Sequence, residues 1–298
     1  MPSVRVLDSA KSASAASAPR GCVNCGGAVA EFCSGCGQRT PTALDYSLGT
    51  LLRAAVGHLT NYDGRLLATV RKLFFSPGQL ARDHFEGRRA RHLDPFRIFL
   101  LSNLLAWLIV PHTEMYGFSL KAALRVALLA PTWARALVAR ASLSGVTVAT
   151  FGQRIDAVSA SQNSLTVLCL VPLLALGISL VLSGRGFRFV QHLVFTAHFY
   201  CIHLCGVLIL LGFVLRPVYR LGKAHALTAS LVEPLGNLWT QHLLMAPALI
   251  AYLYFAMARA YALTPRQSAW RAVAVGLWAC VVSRAFFDVS FAMVLFRA

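Results

Sequence analysis

The chain has 298 residues, of which 57% are apolar and only 13% charged, and its mean hydropathy is +0.62. A soluble domain carries about 25% charged residues, so this composition argues against an ordinary water-soluble fold and for an all-α polytopic membrane protein. The formal charge of +17 is concentrated early: ten of the 28 Lys and Arg fall between Arg39 and Arg97, before the first strong apolar run.

Residues 1–20 are rich in Ala and Ser and contain no apolar run of signal-peptide type, so they read as a flexible leader that begins in the cytoplasm. Residues 21–40 hold Cys22, Cys25, Cys33 and Cys36 in a Cys-x2-Cys-x7-Cys-x2-Cys array. Two such knuckles place four thiolates around one Zn2+ at about 2.3 Å each, with Gly26 and Gly37 supplying the positive φ of the turns. A closed four-Cys shell leaves no position for water or substrate, so the expected zinc is structural. Two disulfides are the alternative pairing, and they require an oxidising compartment.

Residues 41–95 read as a cytosolic basic amphipathic region. Asp45 can cap a helix with Leu48, Leu51, Leu52, Ala55 and Leu59 on one face. A second period places Leu66, Leu67, Val70, Leu73 and Phe74 opposite Arg65, Arg71 and Lys72. Pro77-Gly78 breaks it, Gln79 to Glu86 adds one or two turns, and a basic run through Pro95 leads to the bilayer. Arg82, Arg88, Arg89 and Arg91, with His84 and His92, could bind a phosphate-bearing headgroup there. Charge balance with Asp83, Glu86 and Asp94 is the plainer reading of the same residues.

Residues 96–298 form the transmembrane helical region. Five spans are expected: 98–110, 165–182, 190–215, 238–258 and 272–296. The interval 111–163 is too charged to span simply, and short interfacial helices or a re-entrant hairpin are expected in it. With the N-terminus inside, the connections alone do not obey the positive-inside rule, because Lys121, Arg125, Arg135, Arg140, Arg154, Arg216, Arg220 and Lys223 fall on the outer side. The ten early cations outweigh them, since the first span usually sets orientation.

Several short motifs occur in order: Phe32-Cys33-Ser34-Gly35-Cys36-Gly37-Gln38, Ser76-Pro77-Gly78, Gly87-Arg88-Arg89 and Asp94-Pro95. Two longer ones follow, Gln191 through Phe199 and Tyr252 through Tyr261. Together they resemble an uncharacterised family of bacterial integral membrane proteins that begins with a short zinc ribbon. The resemblance implies an inner-membrane, multi-pass architecture and carries no activity. Glu commonly stands in that family where this chain has Gln191, which removes a potential carboxylate.

Intramembrane polar residues are functional suspects. His198, Cys201 and Cys205 share a helical face and could form a buried metal or haem site, although interhelical hydrogen bonding and small-residue packing are the plainer account of them. His192, His198, His242 and Asp288, with Asn103, could line a polar path; Arg284 and Asp288 are spaced to pair. No nucleophile elbow, phosphate-binding loop or zinc-protease motif is present. Three functions therefore stand open: a protein- or lipid-interaction scaffold, a small transporter or permease, and a membrane enzyme acting on lipid-linked substrates. Anionic headgroups and a cytosolic protein are the expected partners; without a recognisable nucleic-acid module, nucleic acid is the weaker one.

Overall fold

The computed structural model describes residues 21–28, 31–39, 65–109, 130–232, 235 and 238–297. The leader, the linker after the ribbon, the first amphipathic period at 48–59 and positions 110–129 lie outside the described residues. Described in chain order are α1 (Arg65–Phe75), α2 (Gln79–Phe85), α3 (Pro95–Ile109), α4 (Ala130–Leu143), α5 (Val148–Val181) and α6 (Phe189–Val207). A wider π-helical stretch, Leu208–Leu215, continues α6; α7 (Arg216–Lys223), α8 (Ala226–Val232), α9 (Leu238–Ala260) and α10 (Pro265–Arg297) follow.

Two of these helices, Leu243–Ala260 within α9 and Pro265–Met293 within α10, are long and apolar enough to cross a membrane. Pro95–Ala106 and Cys169–Val181 are shorter apolar helices. Along α10, Val273, Leu277 and Val281 recur every fourth residue and all are exposed, so an apolar stripe faces outward rather than into the helical body.

The interval after residue 130 differs from expectation. α4 ends at Leu143, and Thr147 accepts a hydrogen bond from Thr150 N at 3.2 Å to cap a single continuous α5 of 34 residues. At 1.5 Å per residue α5 runs about 51 Å, well beyond a hydrocarbon core of about 30 Å. The expected span at 165–182 is thus only its second half, and no re-entrant hairpin occurs among the described residues. Pro131 sits in the first turn of α4, where its missing N–H costs nothing.

Four apolar clusters hold the described helices together, the smallest at Leu215 and Met245. Leu174, Ile178, Phe195, Leu253, Met257, Tyr261 and Val275 join α5, α6, α9 and α10. Leu73, Ile98, Phe99, Ala175, Leu193 and Ala197 join α1, α3, α5 and α6. Leu137, Phe151, Ile155, Phe291 and Leu295 join α4 and the start of α5 to the end of α10. Gly177 on α5 faces the indole of Trp278 on α10 so closely that a Cβ would overlap it, and Trp278 Nε1 donates to Leu173 O at 2.9 Å.

One end of this body gathers three chain turns. Phe85 at the end of α2, Phe187 between α5 and α6, and Tyr261 after α9 meet pairwise, with ring centroids 5.0 to 6.0 Å apart. The boundary segment and the two short connections therefore share a face. α1 and α2 lie across it, fastened by Tyr252 Oη donating to Leu73 O at 2.9 Å and by Arg259 Nη1 donating to Pro77 O at 3.4 Å. Leu73 of the predicted apolar face of α1 is buried, but Leu67 is 75% exposed, because only the Leu73 side of the helix meets the body.

Candidate functional site: the cysteine ribbon and the basic boundary

The two cysteine knuckles repeat one geometry. Gly26 N donates to Cys22 O and Gly37 N to Cys33 O, while Cys22 N and Cys33 N bond the carbonyls of Gly27 and Gln38, at 2.7 to 2.8 Å. Gly26 and Gly37 adopt φ of 79° and 68°, the left-handed region that a β-carbon disfavours. The four Sγ atoms lie within 4.8 Å of one another, with Cys22 to Cys36 at 3.7 Å and Cys25 to Cys33 at 3.4 Å. A tetrahedral zinc with 2.3 Å bonds sets its sulfurs about 3.8 Å apart, so the cluster is compatible with that ion. All four thiols are free, so the disulfide pairing is not adopted.

The residue after the second knuckle attaches the ribbon to the helical body. Gln38 is 6% exposed, and its Nε2 donates to Gly87 O at 2.5 Å. Its Oε1 accepts from Arg89 N at 3.1 Å and Ala90 N at 3.2 Å. One amide side chain thus satisfies three backbone groups of a turn some fifty residues away, a turn opened by Gly87 at φ 83°. Nothing in the local sequence announced this contact; the only hint was the position of Gln38 directly behind a rigid knuckle.

The predicted headgroup arginines have different partners. Arg82 Nε donates to Glu86 Oε1 at 2.8 Å. Arg88 donates through Nη2 and Nε to Asp83 Oδ1 at 2.7 and 3.2 Å and also pairs with Glu86. Arg89 lends its backbone N–H to Gln38, and Arg91 is exposed. The hub is Asp83, with a side chain 6% exposed, which also accepts from Lys72 Nζ at 2.5 Å and Gln79 Nε2 at 2.8 Å. Burial would raise the Asp83 pKa, but the hydrogen bonds from Lys72, Arg88 and Gln79 outweigh it and hold the carboxyl below its ordinary value.

Lys72 Nζ also stands 3.1 Å from His92 Nε2. An ammonium has no acceptor, so His92 must be neutral there with its proton on Nδ1. Burial, then the neighbouring Lys72 charge, lowers the His92 pKa. His84 is buried more deeply still: burial first, then Arg89 and His198, pushes its pKa well below the ordinary 6.5.

The described intramembrane candidates, His192, His198 and Asp288, have separate surroundings. His192 Nδ1 is 3.1 Å from Tyr261 Oη inside the aromatic cluster. His198 lines a cavity of about 10 Å3 with Leu73, Ser76, Phe195 and Tyr252, room for about one water. Asp288 accepts from Trp133 Nε1 at 2.7 Å, joining α4 to α10 some 35 Å along the helix from Pro265 at 1.5 Å per residue. The side chain of His242 lies outside the described residues. Among the described residues, the N-terminal cysteines are the one group of three or more His, Cys, Asp or Glu close enough to hold a metal, so His198, Cys201 and Cys205 do not converge on one.

A small four-cysteine ribbon is therefore fastened to an all-helical body that carries two helices capable of crossing a membrane. Residues 63–106, which comprise α1, α2, the Gln38-bound turn and most of α3, match a family described as a protein of unknown function (DUF3667). No curated protein and no solved structure matches the chain.

Proposed function

We propose that this chain is a multi-span bacterial inner-membrane scaffold whose zinc ribbon and basic boundary segment form one cytosolic docking surface. The observation that carries this reading is the Gln38 clamp, which makes the ribbon part of the boundary rather than a tethered appendage. Zn2+ in a closed four-Cys shell supplies rigidity and no reaction site, which favours recognition over catalysis. α3, the second half of α5 and α6 with its π-helical continuation supply three further crossings beside α9 and α10, giving five. In that orientation Arg88, Arg89, Arg91, Arg185, Arg188, Arg259 and Arg266 share the face of Phe85, Phe187 and Tyr261, where an anionic inner leaflet attracts them.

The test is in-cell crosslinking followed by capture of the intact protein, the Cys33→Ser variant and the Gln38→Ala variant. Loss of the same proteins from both variants is expected, because one removes a zinc ligand and the other releases the ribbon with its cysteines intact. Identical partner sets in all three samples would remove the docking role.

A further inference from the structure

Two arginines at the shared face stand outside the carboxylate network. Arg185, in the turn between α5 and α6, donates through Nη2 to Gln267 Oε1 at 2.7 Å. Arg271, in the second turn of α10, donates through Nη1 to Gln267 O at 3.3 Å and through Nε to Val181 O at 3.4 Å. Both guanidinium groups are thus gathered about one neutral residue, and each lies within electrostatic reach of the other. Among the described residues neither meets a carboxylate: the ion pairs of the boundary belong to Lys72, Arg82 and Arg88.

Like charges held together by neutral acceptors repel one another, and the cost is offset when an anion lies between them. The chemistry selects the anion. A guanidinium has five N–H donors in a planar fork, most of which these contacts leave available, and such forks match the tetrahedral oxygens of phosphate. Arg271 also lies over the ring of Trp270, with its central carbon 4.3 Å from the centroid, a cation–π contact that holds the charge beside the indole. Trp270 is 52% exposed and opens the outward stripe of Val273, Leu277 and Val281. Amphipathic indoles of this kind sit at headgroup level in membrane proteins.

We propose that Arg185 and Arg271 form a binding site for a phosphate group, oriented by Gln267 and flanked by Trp270. The site is separate from the four boundary arginines considered from sequence, and it rests on the membrane reading only where the phosphate belongs to a lipid. A lipid phosphate would place its glycerol and chains along Trp270, Val273 and Leu277; a soluble phosphate ester would use the same two forks alone.

Full-length protein in detergent is titrated with dioleoylphosphatidate, with dioleoylglycerol and with glycerol 3-phosphate, and bound species are read by native mass spectrometry. Phosphatidate is expected to bind, and Arg185→Gln with Arg271→Gln to weaken it about ten-fold or more, the scale of lost charge-assisted contacts. Arg271→Lys keeps the charge without the fork and should also weaken it, about three-fold, giving a second readout if the double variant folds poorly. Competition by glycerol 3-phosphate assigns a soluble ester as the ligand, and its absence assigns a lipid. Equal binding of phosphatidate to wild type and to both variants, or equal binding of dioleoylglycerol and phosphatidate, overturns the site. Gln38→Ala should leave this binding intact, so failure of the docking surface and failure of the phosphate site are separable.

Discussion

At the scale of single residues, the boundary depends on protonation states that its neighbours impose. His84 is neutral because it is buried, and His92 is neutral because Lys72 needs its Nε2 as an acceptor. Both have folded pKa values below those of the unfolded chain, so the unfolded state takes up more protons between the two. Their stability contribution is complete above about pH 6.5 and is lost as pH falls below it. Asp83 has the same sign at a lower window: its contribution is complete above about pH 3.9 and is lost in stronger acid. The thermal stability of the detergent-solubilised protein should thus fall between pH 7 and 5, with His84 contributing to the loss. His92→Gln, which keeps an acceptor for Lys72 and cannot titrate, should flatten part of that slope; an unchanged slope would remove His92 from the explanation. At this scale the four cysteines were legible because a metal shell has a local spacing. The Gln38 clamp and the bond from Arg185 to Gln267 were not, since each joins positions some fifty or more residues apart.

Among the elements, the junction of α2 with α9 shows where a sequence break becomes a packing requirement. Pro77-Gly78 reads simply as a helix stop. In the fold Gly78 has φ of 76° and sits against Ala256 so closely that a Cβ would overlap the Ala256 backbone. Backbone offers no side-chain rotation to relieve such a contact, so Gly78→Ala combines positive-φ strain with overpacking and should cost about 2 to 4 kcal/mol. The measurable result is a lower unfolding temperature together with faster tryptic cleavage at the boundary arginines, because α2 carries Asp83 and its network. Unchanged melting and cleavage would show that α2 does not need this close approach. Helix periods and breaks were legible here, as were the approximate positions of α1, α2, α3, α6, α9 and α10. The start of α5 was not: the interval 111–163 reads as short interfacial helices or a re-entrant hairpin, yet Thr147 caps its last residues into the same helix as the apolar run that follows. Pairing of Gly177 with Trp278 also escaped the sequence, since a small residue announces close approach without naming what approaches.

For the whole molecule, the arrangement of its ends bears most directly on orientation. Counted alone, the connections run against the positive-inside rule, because Lys121, Arg125, Arg135, Arg140, Arg154, Arg216, Arg220 and Lys223 outnumber the basic residues of the turns at the other end. The fold gathers the ribbon, the boundary, the turn after α5 and the turn after α9 on one face, joined through Gln38, Phe85, Phe187 and Tyr261. The α4 to α5 connection lies at the opposite end of α5, beside Asp288 and Phe291 near the far end of α10. Ser144 and Ser183 flank α5 and both are exposed, so cysteines placed there report the two ends of one helix. In right-side-out vesicles, with the exposed Cys169 and Cys280 replaced and the signal read against the same protein without the added cysteine because Cys25 of the ribbon is also exposed, an impermeant maleimide should label Ser144→Cys directly and Ser183→Cys only after permeabilisation. The reverse order would invert the protein, putting the ribbon in an oxidising compartment where disulfides would compete with zinc for its thiols. Labelling of both sites without permeabilisation would be more damaging, because α5 would not cross the bilayer and the face shared by ribbon and arginines could not lie against one leaflet.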